Sequence, residues 1–494
     1  MATREARDVV VVGGGAAGCV IARRLAESAR SVLLLEAGPD LRQAIPADWR
    51  DGWRLPTLPD WGFESEAVGE AAPNRLRRGR LLGGTSWLTR FAVRGSAADF
   101  DRWAARGNPG WSYAEVLPAF RRLEADAEFG ASPWHGDAGP IPVTRYPELA
   151  PSTVHEAALD ALAALDHPRV ADVNEPHPLG VGRMPMSSRG GHRVTTADAY
   201  LPRSGGPASL AIRADAPVAA VIVQRGRAVG VRLVDGTAVP SGQVVLAGGT
   251  YGSPTILMRS GIGPADHLRE VGVPVELDLP GVGSNLADHP AVDLDSGWRG
   301  AGTDGPLLHS IATFHSAGAG TDEPPDLMFW LSDPVVEDPG FWFDPVLLRP
   351  DSRGTVRLRD AGAASAPRIA LPGLREARDV DRLAEGYRRG LELAQRPEFR
   401  RLASGEPPRG PRTAAALRQL VMDGAYSIPH VVGTCAMGPS AADGAVVDAQ
   451  GRVHGIDGLS VVDASIIPEP PSGFPHLVTI MLAEHLASRM AAPG

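Results

Sequence analysis

Residues 8–36, DVVVVGGGAAGCVIARRLAESARSVLLLE, constrain the fold more than any other part of the chain. The β-branched run from Asp8 to Val12 reads as a buried parallel strand. Gly13, Gly15 and Gly18 follow it directly in the spacing G-x-G-x-x-G. Cys19 to Ala29 then has helical spacing, and Ser31 to Leu35 is a second strand that ends on Glu36. Together they make a complete βαβ unit. Gly13 permits the tight turn. Gly15 lets backbone approach a pyrophosphate, which the helix N-terminus at Ala16 and Ala17 stabilises. Gly18 lets helix and strand pack closely. Glu36 lies 18 residues after Gly18, placed to accept from ribose hydroxyls. A carboxylate there disfavours a 2′-phosphate, which argues against NADP but does not separate NAD from FAD.

The chain has 494 residues, room for two or three domains, and a formal charge of −9 with no basic tract. Nucleic acids and anionic membranes are not expected partners. No apolar run reaches membrane length, and MATREARDVVVV lacks the apolar core of a signal peptide, so a membrane span is not expected and a cytoplasmic location is. Cys19 and Cys435 show neither metal spacing nor a disulfide framework, and no metal is expected. All 49 basic residues are arginine. That excludes a Schiff-base lysine, a phosphate-loop lysine and a Tyr-Lys pair. The G-x-S-x-G and H-E-x-x-H signatures of hydrolases and zinc proteases are also absent.

Five later stretches carry more: RGRLLGGTSWLTRFAVRG at 78–95, GTYGSPTILMRSGIGP at 249–264, LPGVGSNLADHP at 279–290, HVVGTCAMG at 430–438, and the run from Val446 to Ala483 that contains FPHLVTIM. In this order the set resembles the glucose–methanol–choline (GMC) family of FAD-dependent oxidoreductases, over nearly the whole chain and most weakly across 291–420. The resemblance implies an α/β fold: a discontinuous FAD-binding, Rossmann-like βαβ domain with an antiparallel-sheet α+β cap that binds substrate. The implied FAD segments are 1–100, 205–290 and 425–494, the last with the catalytic histidines. The cap segments are 101–204 and 291–424.

The resemblance also implies roles for single residues. Arg80, Gly84, Thr85 and Thr89 would line the flavin and its pyrophosphate, and the backbone of Val218 would meet the adenine. Asp463 and Ala464, with His476, Leu477 and Val478 at the last helix, would flank the isoalloxazine. Leu88 stands where some members carry a flavin-linking histidine, so non-covalent FAD is expected. Thr89 replaces an asparagine, and the loop is one residue shorter than usual before Arg94-Gly95. His430 takes the position of the histidine over the reactive part of the flavin, and His476, 46 residues on, takes the second catalytic position. His289, His454 and His485 read as loop or surface residues.

The implied reaction is oxidation of a primary or secondary alcohol to an aldehyde or ketone, with hydride moving to flavin N5. Neutral imidazole suits removal of the hydroxyl proton. The electron acceptor is dioxygen, a quinone or a mycofactocin-like redox carrier, and a hydroxynitrile-lyase activity on the same fold is the alternative. In the cap, DLMFWLSDPVVEDPGFWFDPVLL offers Phe329 and Trp330 as pocket residues, though a strand sends them to opposite faces. PDLMFWLSDP and GTVRLRD read as strands, DVDRLAEGYRRGLELAQ as an amphipathic helix, and 300–325 as a loop or lid.

Overall fold

The computed structural model describes residues 7–67, 73–201, 206–299, 301–320, 322–402 and 406–491. Arg7–Val12, Ala16–Glu27 and Val32–Leu35 form the strand, helix and strand of the opening motif. The two strands pair in parallel, Val9 with Val32 through Val12 with Leu35. Val9, Val10 and Val11 are fully buried, as strands covered on both faces must be. The sheet grows outward from this pair. Leu210–Arg213 lies parallel to Val32–Leu35, and Ala238–Leu246 parallel to the first strand. The far half of Ala238–Leu246 also takes Leu459–Val461 in parallel, while its near half carries the antiparallel strands Arg227–Leu233 and Val218–Gln224. One seven-stranded sheet is thus drawn from widely separated parts of the chain. The last helix, Pro475–Met490, packs along Ala16–Glu27, with Leu477, Val478 and Met481 fully buried.

A second, antiparallel sheet forms the cap. Its order is Ala425–Ser427, Pro290–Val292, Gly340–Leu347, Leu327–Ser332, Leu308–Phe314 and Gly180–Arg183, with Asp295–Arg299 also paired to Gly340–Leu347. Alternation sorts its side chains. Leu327, Phe329 and Leu331 join Phe314, Phe343 and Leu347 in a core with the helices Thr153–Ala163 and Ala377–Gln395. Met328, Trp330, Ile311 and Val346 belong to the opposite face, which packs with Ile428 and Phe474.

One sequence expectation needs correction here. Leu308–Phe314 lies inside the stretch read as loop or lid, yet it is a buried strand of the cap sheet. Its neighbours' Gly and Ser content hid a short run, HSIATF, that is apolar enough for a central strand. The strand read in GTVRLRD is present as Thr355–Arg357, paired with Arg368–Ala370 in a two-stranded ribbon.

A buried ion network ties together the segments between the two sheets. The Arg94 guanidinium pairs with Glu124, and Arg145 reaches Asp126 at 2.8 Å and Asp172 at 2.7 Å. His135 bridges Glu124 and Asp172, at 2.8 Å each. Burial alone would lower the basicity of His135, but Asp126, Asp172 and Glu124 outweigh it and raise its pKa to about 10. Glu124, Asp126 and His135 lie close enough together to hold a cation. Arg94, Arg145 and the protonated His135 already balance Glu124, Asp126 and Asp172, however, and an imidazolium has no lone pair to give a cation.

Candidate active site

The three glycines meet the demands placed on them. Gly13 has φ +99°, and a Cβ there would lie 2.5 Å from the Ala247 carbonyl oxygen. A Cβ at Gly18 would lie 1.8 Å from the Gly13 carbonyl oxygen, so helix and turn could not close on a larger residue. A Cβ at Gly15 would meet nothing within 4 Å: the space above it is open. The helix that begins at Ala16 has no side-chain cap and no acid in its first turn, which leaves its N–H groups for an anion. Gly84, at φ +52°, packs against this cradle; its Cβ would lie 2.8 Å from the Gly15 Cα. Glu36 accepts from Gly14 N at 2.7 Å and Gly38 N at 2.8 Å. Burial pushes its carboxyl up to about 7, against those two amides and Arg80. Arg80 itself is exposed, its guanidinium over the Trp61 ring.

Val218 begins its strand half-buried. Thr85, Leu88 and Thr89 are partly exposed on the turn around Gly84–Trp87. Arg90 on the same loop is buried, with Nε and Nη1 lacking hydrogen-bond partners. An open glycine cradle, an uncapped helix and an orphaned guanidinium are what a large anionic dinucleotide would fill, so the residues present fit FAD. Asp463 accepts from Gly249 N and Ser465 N and holds Ala464 at the start of a short turn. The Leu477 and Val478 side chains lie in the core, so only their backbone could face a ligand.

His430 sits on a loop stapled from both sides. Val432 and Ala287 exchange backbone hydrogen bonds of 3.0 and 3.1 Å, and Thr434 Oγ1 donates to the Thr250 carbonyl at 2.6 Å. Gly433, φ +94°, allows this approach, since a Cβ there would lie 2.5 Å from the Asn285 carbonyl oxygen. The His430 ring is partly exposed and tightly surrounded. Burial, then His289 and Arg78, hold its pKa well below the ordinary value. His476 is the second residue of the last helix and is also partly exposed. Burial, then Arg193, lower it to about 4. Both imidazoles are therefore neutral at neutral pH. The structure places Phe474, two residues before His476, 4.7 Å from the His430 ring centre.

Aromatic rings wall this place. Trp330 lies 6.5 Å from His430 and 6.0 Å from Phe474, and Phe91 lies 6.1 Å from Trp330 and 5.6 Å from Phe474. Trp330 Nε1 is buried without a hydrogen-bond partner. Phe329, expected beside it, is instead fully buried on the other face, 4.8 Å from Phe314, because neighbouring strand residues point oppositely. Phe91, Phe474, Arg193 and His289 were not singled out from sequence as site residues. His289 is corrected most sharply: it is fully buried, and its Nδ1 lies 3.2 Å from His430 Nδ1. His485 is no surface residue either; it is buried on the last helix and bonded to the Gly110 carbonyl at 2.8 Å. His454 is a turn residue, 3.1 Å from the Gly438 carbonyl.

Residues 7–291 and 350–483 match the two family models for GMC oxidoreductases. The chain is a GMC oxidoreductase. A 5-(hydroxymethyl)furfural oxidase from Methylovorus sp. is 34% identical, over 97% of this chain and 98% of its own length. An oxygen-dependent choline dehydrogenase from Chromohalobacter salexigens is 33% identical, over 98% of this chain and 94% of its own. Among solved structures, pyridoxine 4-oxidase from Mesorbium loti superposes with a TM-score of 0.90 at 29% identity, covering 98% of this chain and 99% of that one. Like its family, this GMC oxidoreductase is an FAD-dependent flavoprotein, with Leu88 offering no side-chain nucleophile for a covalent link. Among the described residues, no helix is long and apolar enough to cross a membrane.

Proposed function

We propose that this GMC oxidoreductase oxidises a primary or secondary alcohol carried on an aromatic or medium-length apolar body. The observation that carries the reading is a neutral, partly exposed imidazole, His430, set among Phe91, Trp330 and Phe474. Bound FAD supplies the hydride acceptor. His430 takes the hydroxyl proton, which a neutral imidazole can do at neutral pH. His476, also neutral, offers a ring N–H to the substrate oxygen as its charge grows. The aromatic wall favours an apolar substrate. A sugar would leave several hydroxyls unpaired there, each costing about 1–3 kcal/mol. The names of two relatives, a hydroxymethylfurfural oxidase and a pyridoxine oxidase, support a hydroxymethyl group on a ring.

The test is His430→Ala in FAD-loaded protein. Turnover should fall by about two to four orders of magnitude while the flavin stays bound. Turnover within a few-fold of the parent would refute the role. A panel of benzyl-type alcohols, aliphatic alcohols, glucose and choline, run with dioxygen and with an artificial acceptor, reads the substrate class and the acceptor together. Anaerobic bleaching of the flavin by substrate separates oxidation from a lyase reaction.

A further inference from the structure

His430 Nδ1 and His289 Nδ1 lie 3.2 Å apart, with the two rings at 89°. At that distance the nitrogens share one proton, so one ring donates and the other accepts. The direction decides what His430 can do. If His289 donates, neutral His430 carries its own proton on Nε2 and has no lone pair free. If His430 donates, its Nε2 is bare.

The surroundings of His289 choose between these. Burial lowers His289 to about 4, so it holds a single proton. Its Nδ1 faces His430, its Nε2 is buried with no hydrogen-bond partner, and the backbone of Leu348 and Pro471 acts on the ring in the sense that favours its protonated form. A bare lone pair turned toward accepting backbone groups is the costlier arrangement, so the proton sits on Nε2 and Nδ1 is left as an acceptor. Asp288 keeps the pair together. Its Oδ1 accepts from the backbone N–H of His289 at 2.8 Å and of His430 at 2.7 Å, and its Oδ2 is held by the Ser427 hydroxyl. Arg78, bonded to the Pro429 carbonyl at 3.0 Å, and Tyr251 are the other ionisable groups that act on Asp288 or His430.

We propose that His289 is a positioning residue: it accepts the Nδ1 proton of His430 and so fixes the tautomer whose Nε2 is free to receive the substrate proton. The inference rests on His430 as the base. The alcohol's O–H bond breaks, its proton forms a bond to His430 Nε2, and the resulting imidazolium is stabilised by its Nδ1–H to His289. FAD, when bound, would accept the hydride with its electron pair.

The experiment compares holoenzymes carrying His289→Leu, His289→Asn and His430→Ala. The asparagine carbonyl can stand where His289 Nδ1 stands. His289→Leu should lower the pH-independent plateau of kcat by about 10- to 100-fold, with little change in KM, flavin content or flavin spectrum. His289→Asn should recover most of that loss, and 15N spectra of histidine-labelled native holoenzyme should show His430 protonated at Nδ1. A plateau unchanged in His289→Leu, or a His430 proton found on Nε2, overturns the inference. Should His289→Leu fail to hold FAD, the native 15N spectrum decides alone. Normal turnover in His430→Ala would instead remove the base assignment on which the inference rests.

Discussion

Gly15 and Gly18 stand three residues apart in one motif, yet the structure expects opposite consequences from adding a single methyl group to each. At Gly15 the backbone is extended, φ −83° and ψ −158°, a conformation alanine adopts freely. A Cβ there meets no protein atom within 4 Å. Gly15→Ala should leave the flavin-free protein as stable as the parent, or more so by about 0.4–1 kcal/mol, because the unfolded chain loses freedom. The new methyl stands in the open space of the cradle, so FAD binding should weaken severely. At Gly18 the position is helical, and alanine would ordinarily gain about 1 kcal/mol. Here its Cβ would lie 1.8 Å from the Gly13 carbonyl oxygen, well inside contact distance. Neither atom is the tip of a flexible side chain, so helix and turn must separate, at a cost of about 1–3 kcal/mol or more. The assay is thermal unfolding of flavin-free protein, alongside flavin stoichiometry after gel filtration. A Gly15→Ala protein that keeps a full complement of FAD, or a Gly18→Ala protein as stable as the parent, would refute the reasoning.

The remaining expectations concern the buried ion network and the cap. His135 is raised to about 10 when folded and should titrate near 6.5 when unfolded. Its contribution to stability is therefore complete below about pH 6.5 and is lost as pH rises toward about 10. Melting temperature should fall across that window, and more gently in His135→Gln, whose profile should lie below the parent's at pH 6 and converge with it at pH 10; parallel profiles would contradict this. Trp330→Ala should lower kcat/KM for an aryl alcohol about tenfold or more, a loss of about 1.4 kcal/mol, and lower the melting temperature less than Phe329→Ala does. Phe329→Ala should do the reverse, losing about 3–5 kcal/mol of stability with no selective effect on aryl substrates. Kinetics and unfolding measured on the same two preparations check both.

The opening βαβ unit was legible because every part of it is local: three glycines, a β-branched strand and a terminal acid within 29 residues. His430 and His476 could be proposed from sequence because short motifs surround them, while only the fold places Phe474 against His430. His289 was misread for the opposite reason. The stretch LADHP says nothing of a partner 141 residues away, and a histidine before proline looks like a surface loop residue until the backbone bonds between 287 and 432 bring it inside. The strand Leu308–Phe314 was hidden by its flanks, and its burial depends on Gly180–Arg183 and Leu327–Ser332 on either side. Arg94, Arg145 and His135 form one network with acids as far along as Asp172, and no spacing announces it.

The two-sided cap sheet separates inheritance from adaptation. Leu327, Phe329 and Leu331 lock the sheet to its helices, and exchanging any of them is a change of architecture. Trp330, between Phe329 and Leu331, shares the other face with Met328 and faces the rings around His430. Under the proposed function, point mutations on that face would alter which molecule is welcome while the scaffold behind it stays still. A lineage would then wander among substrates in single steps, and a laboratory library confined to alternate cap positions would follow the same path.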